Sequence, residues 1–225
     1  LGTWKDVADL SSSFELMADL IVNHVSDLSK EFQDVLEKGS DSDYIDMFLT
    51  KEKVFGNDPS AQSLAKIFRP RPSSPFTSFK TKTGEQFNFW TTFSSSQIDI
   101  DIKSQKARDY LDSVLNVFSE NGLKSIRLDA VGYAVKKAGS SCFMIPETYQ
   151  FIREMVSKAH AKGLDVLTEI HSHYQTQIDI ARHTDYVYDF VLPPLLIFCL
   201  EKGDSQPLLE WLKIRPYNAI TVLDT

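Results

Sequence analysis

The sequence predicts an α/β fold, an incomplete (β/α)8 barrel carrying an inserted subdomain. Three observations predict it: short apolar, β-branched segments recur along the chain, amphipathic helical patterns alternate with them, and one long interruption separates the first segment from the rest. The apolar segments are LMADLIVNH (16–24), LKSIRLDAVG (123–132), LDVLTEIHS (164–172) and NAITVLDT (218–225), with a weaker one at TDYVYDFVL (184–192). Between them, ARDYLDSVLNVFSENG (107–122) places apolar residues at 111, 114, 115 and 118, and ETYQFIREMVSKAHAKG (147–163) places them at 151, 152, 155, 156 and 159. Asn-Gly closes the first pattern and Gly163 the second, as helix C-termini require.

The interruption runs over about residues 27–100 and holds the proline cluster RPRPSSPF (69–76) and the aromatic stretch FNFWTTF (87–93). It is too long for a strand-to-helix connection, so it predicts an inserted subdomain, with residues 1–26 and 101–225 forming the barrel part. Removing it leaves room for about five of the roughly 30-residue units of an eight-unit barrel. Both ends fit an interior piece: LGTWKDVADL reads as the middle of a domain, and AITVLDT reads as a buried strand. Such a piece alone is expected to be poorly soluble and inactive, because its strand edges are uncovered.

Composition narrows the function classes. The chain is 42% hydrophobic with 24 basic against 31 acidic side chains, a net charge of -7, which suits a globular protein and not a nucleic-acid binder. FVLPPLLIFCL (190–200) is about half of the roughly 20 residues a membrane span needs and contains two prolines, so no membrane association is expected. Two cysteines, Cys142 and Cys199, exclude a disulfide framework and fit a reducing, cytoplasmic setting.

The polar tips of the apolar segments carry the candidate chemistry. In KSIRLDAVGY, Arg127 and Asp129 share one strand face, where buried charges need a partner or a task. Asp129 and Glu169 each end a strand, and consecutive parallel strands bring such tips to one rim. Two carboxylates about 5 Å apart supply a nucleophile and a general acid/base for retaining glycosyl transfer, with Arg127 keeping Asp129 ionised and a deep site raising the acid's pKa. A structural ion pair at a barrel rim explains Arg127 and Asp129 equally well. His24 reads by itself as a satisfied core histidine, Asp19 as a residue orienting backbone at the rim, and FNFWTTF as core. His171 and His173 lack a third ligand for a metal, so none is expected.

Taken in order, DLIVNH, GLKSIRLDA, VLTEIH and AITVLD resemble the four signature regions of the α-amylase superfamily, glycoside hydrolase family 13. The chain is more similar still to the sucrose phosphorylase subfamily of it, through RLDAVGYAVKKAGSSCFMIPETY, RPRPSSPFT, SSSQIDIDI, TDYVYDFVLPPLL and IRPYNAITVLDT. The resemblance implies strands three to seven of a TIM barrel, a domain B-like insert after strand three, and retaining transfer of glucose from sucrose to phosphate, giving α-D-glucose 1-phosphate and fructose. It implies Asp129 as nucleophile, Glu169 as acid/base and Arg127 as the residue positioning the nucleophile. His24, Phe93 and Gln97 would bind the glucosyl unit, and Arg71 and Tyr133 the acceptor side, with no cofactor and no metal. The third carboxylate is expected just beyond Thr225, so Asp224 is not assigned that role. Phe68 stands where the subfamily carries tyrosine, and the loss of that hydroxyl keeps a different acceptor, such as a phosphorylated fructose or glycerate, open as an alternative. The remaining alternatives are an α-glucosidase and a non-catalytic sugar-binding barrel. Oligomeric state stays open, a homodimer being one expectation for the complete enzyme.

Overall fold

The structure is a computed structural model that describes residues 2–222. Its strands in chain order are β1 (Met17–Ile21), β2 (His24–Ser26), β3 (Phe76–Lys80), β4 (Gln86–Trp90), β5 (Gln97–Asp99), β6 (Ser125–Asp129), β7 (Asp165–Thr168), β8 (Tyr186–Asp189) and β9 (Ala219–Thr221). The helices are α1 (Trp4–Ser11), α2 (Lys30–Lys38), α3 (Lys51–Phe55), α4 (Ala61–Ala65), α5 (Gln105–Glu120), α6 (Pro146–His160), α7 (Tyr174–Ala181), α8 (Leu192–Lys202) and α9 (Gln206–Ile214). They fall into two compact units, one of Leu1–Leu20, Val117–Asp129 and Ile152–Thr225, the other of Ile21–Asn116 and Ala130–Phe151.

The first unit is organised by a five-stranded sheet of order β1-β6-β7-β8-β9. β6, β7, β8 and β9 pair in parallel, with Leu128 opposite Thr168 and Thr168 opposite Val187. Ile126, Leu128, Val166, Leu167 and Val187 are buried, as strands covered on both faces require. Each full burial of such a side chain contributes about 1.5–3 kcal/mol. The turn after α5 needs its glycine: Gly122 sits at φ +80°, and a Cβ there would lie 2.3 Å from the Ser11 hydroxyl. The parallel sheet occupies four of the predicted segments and the weaker fifth. The fourth is only partly described, since Leu223, Asp224 and Thr225 lie outside the described residues.

Pro193 and Pro194 sit in the first turn of α8, where a missing N–H costs nothing, so the apolar run 190–200 becomes an ordinary helix. No helix among the described residues is long and apolar enough to cross a membrane.

The second unit contains the interruption. Its core is aromatic: Phe32 packs edge-on to Phe48, Phe79 and Phe89, with ring centroids 5.0–5.1 Å apart. Ser29 caps α2 by accepting a hydrogen bond from the Phe32 N–H, which seats that ring. β3 and β4 form an antiparallel hairpin that registers Phe76 with Trp90, and Phe89, Trp90, Thr91 and Thr92 of FNFWTTF are buried.

One element departs from the expected pattern. The first apolar segment was expected to run as one strand through His24, but β1 ends at Ile21 and His24 opens β2, antiparallel to β5 with His24 opposite Asp99. The cause is a competing partner, because the Asn23 carbonyl accepts from the Ile100 N–H at 2.9 Å.

Candidate active site

The carboxylate group belongs to the first unit. Asp129 is the last residue of β6, and Glu169 directly follows β7, its N–H donating to the Leu128 carbonyl at 3.2 Å. The parallel register therefore sets the two acidic residues at neighbouring strand ends. Arg127 links them. Its Nη1 donates to Glu169 Oε2 at 2.5 Å, and its Nη2 lies 3.5 Å from Asp129 Oδ1.

Its strongest grip is on a residue to which the sequence reading gave a different part. Arg127 Nε and Nη2 donate to the two oxygens of Asp19 at 2.7 and 2.8 Å, a side-on bidentate pair. Asp19 thus binds a side chain instead of orienting backbone. Arg127, expected to serve Asp129 first, makes its short bonds to Asp19 and Glu169 because Asp19 on β1 projects from the neighbouring strand of the same sheet.

Charge follows geometry here. The Arg127 hydrogen bonds hold the Asp19 carboxyl below its ordinary value, against a smaller opposing effect of burial. Three carboxylates, with Asp19 contributing most, raise the Arg127 guanidinium well above its own. One permanent cation among three acidic groups leaves the cluster net negative and compensates only part of their mutual repulsion. His171 extends the group: its Nε2 lies 3.2 Å from Glu169 Oε1, and its ring stacks on Phe190 at 4.0 Å. Immediately after Asp129, Ala130 adopts φ +54°, a left-handed conformation costly for a residue with a Cβ. Nothing in the sequence signals that strain.

The second unit holds another group. His24 is buried, its Nε2 lies 2.8 Å from the Gln97 side-chain amide, and the Ser94 hydroxyl donates to Gln97 Oε1 at 2.8 Å. Phe93 stands 5.3 Å from the His24 ring and packs edge-on to Tyr133 at 5.2 Å. Tyr133 then contacts Phe143 at 4.7 Å, and Phe68 lies flat against Phe143 at 4.6 Å. Gly132 permits this packing, since a Cβ there would come within 2.8 Å of the Phe143 ring. Burial pushes the Tyr133 phenol up, and the nearby charge of Arg71 opposes it. Thus His24, Gln97, Phe93 and Tyr133 form one continuous group, which the exposed Arg71 reaches through its field.

Behind this group lies a buried ion pair absent from the sequence reading. Lys136 Nζ reaches Asp99 Oδ2 at 2.7 Å and Asn23 Oδ1 at 2.9 Å, while Asp99 also accepts from the Thr92 N–H and hydroxyl at 3.0 and 2.5 Å. Both charged side chains are almost fully enclosed, at 2% and 0% exposure. This network ties β2, β5 and the turn after β6 together. Among the described residues no group of three or more His, Cys, Asp or Glu side chains could hold a metal ion, and Cys142 and Cys199 are free thiols.

Residues 2–191 match the family model of the α-amylase catalytic domain. The chain is 52% identical over all 225 residues to a sucrose phosphorylase of Agrobacterium vitis and 48% identical over 225 residues to one of Bifidobacterium adolescentis. It spans 46% and 44% of those two proteins, so it covers about half the length of these relatives. Among solved structures it is similar to the sucrose 6F-phosphate phosphorylase of Thermoanaerobacter thermosaccharolyticum, with a TM-score of 0.94 at 40% identity, covering 100% of this chain and 47% of that one.

Proposed function

Because this chain belongs to the α-amylase catalytic-domain family, and its parallel sheet is part of that family's (β/α)8 barrel, we propose that the protein catalyses retaining glucosyl transfer from sucrose to phosphate. The products are α-D-glucose 1-phosphate and fructose. The observation that carries the reading is identity near one half, sustained over the whole chain, to two sucrose phosphorylases. The linkage of Asp129 and Glu169 through Arg127 supports it with a suitable pair of groups.

Asp129 is proposed as the nucleophile. It attacks the glucose anomeric carbon while Glu169, protonated, gives its proton to the fructosyl oxygen, so that the C–O bond to fructose breaks and a β-glucosyl ester forms. Phosphate then attacks the ester, passing a proton to the Glu169 carboxylate, and a second inversion restores the α configuration. Arg127 positions Asp129 and moderates the repulsion among the acidic groups. His24, Gln97 and Phe93 bind the glucosyl unit, and Arg71 and Tyr133 serve the acceptor side, where a dianion needs a cation. Carboxylates supply both nucleophile and proton, so the mechanism calls for no metal or organic cofactor. Residues 27–100 are assigned to a domain B-like insert, and the reaction to the cytoplasm.

A second reading, transfer from sucrose 6'-phosphate, is favoured by the TM-score of 0.94 to a phosphorylase of that substrate. Incubating the full-length protein with sucrose, with and without phosphate, tests the proposal. Phosphate-dependent glucose 1-phosphate supports it, whereas free glucose alone, or turnover only of the 6'-phosphate, replaces it.

A further inference from the structure

The two oxygens of Glu169 are held unequally. Arg127 Nη1 donates to Oε2 at 2.5 Å, whereas Oε1 faces His171 Nε2 at 3.2 Å. A guanidinium carries donors only, so a proton borne by Glu169 sits on Oε1, the oxygen beside the imidazole. Imidazole suits an oxygen that gains and loses a proton, because its nitrogen donates to the carboxylate in one tautomer and accepts from the O–H in the other.

His171 is held at this oxygen by a stack. Its side chain is 60% exposed, so burial does not fix the ring. Phe190 does: the two ring centroids are 4.0 Å apart and their planes 26° from parallel. Phe190 in turn follows Asp189, the last residue of β8, whose side chain is fully enclosed. The Asp189 carboxylate accepts from the N–H groups of Val191 and Leu192 at 3.2 and 3.0 Å, from Trp211 Nε1 at 3.2 Å and from Arg215 Nε at 2.5 Å. These bonds pin the backbone on both sides of Phe190, and the Tyr188 ring stands 5.5 Å from its own. A chain of contacts thus runs within the first unit from Asp189 through Phe190 and His171 to Glu169 Oε1.

Building on the glucosyl-transfer reading above, we propose that His171 is a positioning residue for the general acid/base, orienting Glu169 Oε1 with Phe190 as its platform. The proton still passes from Glu169 to the departing oxygen and returns to Glu169 from the acceptor, so His171 neither gains nor loses one over the cycle. A residue acting in this way matters only where a proton has to move. Its removal therefore discriminates between leaving groups, which a loss of general structure does not.

First-turnover rates at saturating donor, read by rapid quench in the full-length protein, test this with α-glucosyl fluoride, whose departure needs no proton, and with sucrose and phenyl α-glucoside, whose departure does. His171→Ala is expected to slow the release of fructose and phenol about tenfold and to leave fluoride release unchanged. His171→Gln, whose amide also donates and accepts, should recover most of that loss. Phe190→Leu removes the platform, so the same selectivity is expected to a smaller degree; this variant also carries the test should the alanine variant not fold. An equal loss with all three donors marks a structural role and overturns the proposal. Unchanged rates overturn it too, as does a loss confined to KM, which would make His171 a substrate contact. Should wild type cleave phenyl α-glucoside and leave sucrose intact, the sucrose reading falls, while the phenol and fluoride rates still decide the role of His171.

Discussion

Arg127 Nη1 lies 2.5 Å from Glu169 Oε2, so the cation that shares a strand face with Asp129 is tied most closely to the carboxylates of its two neighbouring strands. The arrangement places one guanidinium where it touches every acidic side chain of the cluster. An acid catalyst gives its proton to the departing oxygen, and a group that leaves without a proton does not need one.

Glu169→Gln should thus divide substrates by leaving group. Sucrose, whose fructosyl oxygen needs protonation, is expected to turn over about 10²–10⁴-fold more slowly. α-Glucosyl fluoride, whose fluoride leaves without a proton, should keep a fast first step. Rapid-quench measurement of fluoride release checks this, and an equal loss for both substrates would remove Glu169 from the acid role.

Asp19→Asn should reveal its ion pair through pH. The Asp19 carboxyl titrates below its ordinary value in the folded state, so the native protein holds that proton less tightly than the unfolded chain. Its contribution is present above the unfolded pKa of about 3.9 and disappears as pH falls through the lower folded value. The Asp19 side chain is 53% exposed, so the effect is small, below about 1 kcal/mol. Thermal melts of wild type and variant should differ slightly near pH 6 and converge below pH ~4; a difference that grows on acidification would contradict the assignment.

Lys136→Met should be far more damaging than any change on the surface. Removing the ammonium leaves the Asp99 carboxylate enclosed with only the Thr92 donors, a loss of about 3–5 kcal/mol. Adding Asp99→Asn removes the stranded charge and should restore part of the stability. Urea denaturation of both variants in the full-length protein decides it, and a single variant as stable as wild type would show that the pair contributes little.

These residues also mark how far the sequence could be read. Asp129 and Glu169 were legible because each ends a run of alternating burial or continuous apolar residues, and parallel pairing of adjacent strands then sets such ends side by side. The barrel reading rested on the same local periodicity, which needs no knowledge of distant contacts. Asp19 lies 108 residues from Arg127, and Lys136 lies 113 from Asn23, so no pattern within a window connects them. The break after Ile21 was hidden for a related reason: LIVNH has uniform strand propensity, and only pairing with β5 decides where β1 stops. Ala130 has a conformation set by its neighbours, against its own preference.

The central claim is that Asp129 becomes glucosylated. The full-length Glu169→Gln variant, mixed with α-glucosyl fluoride and quenched in acid, should accumulate the ester, since its breakdown by phosphate lacks a base. Peptide mass spectrometry is then expected to find the segment containing Asp129 heavier by one hexosyl unit, and unmodified when Asp129 is also replaced by Asn. A hexosyl group on another residue, or none while fluoride is released in a burst, would contradict the account.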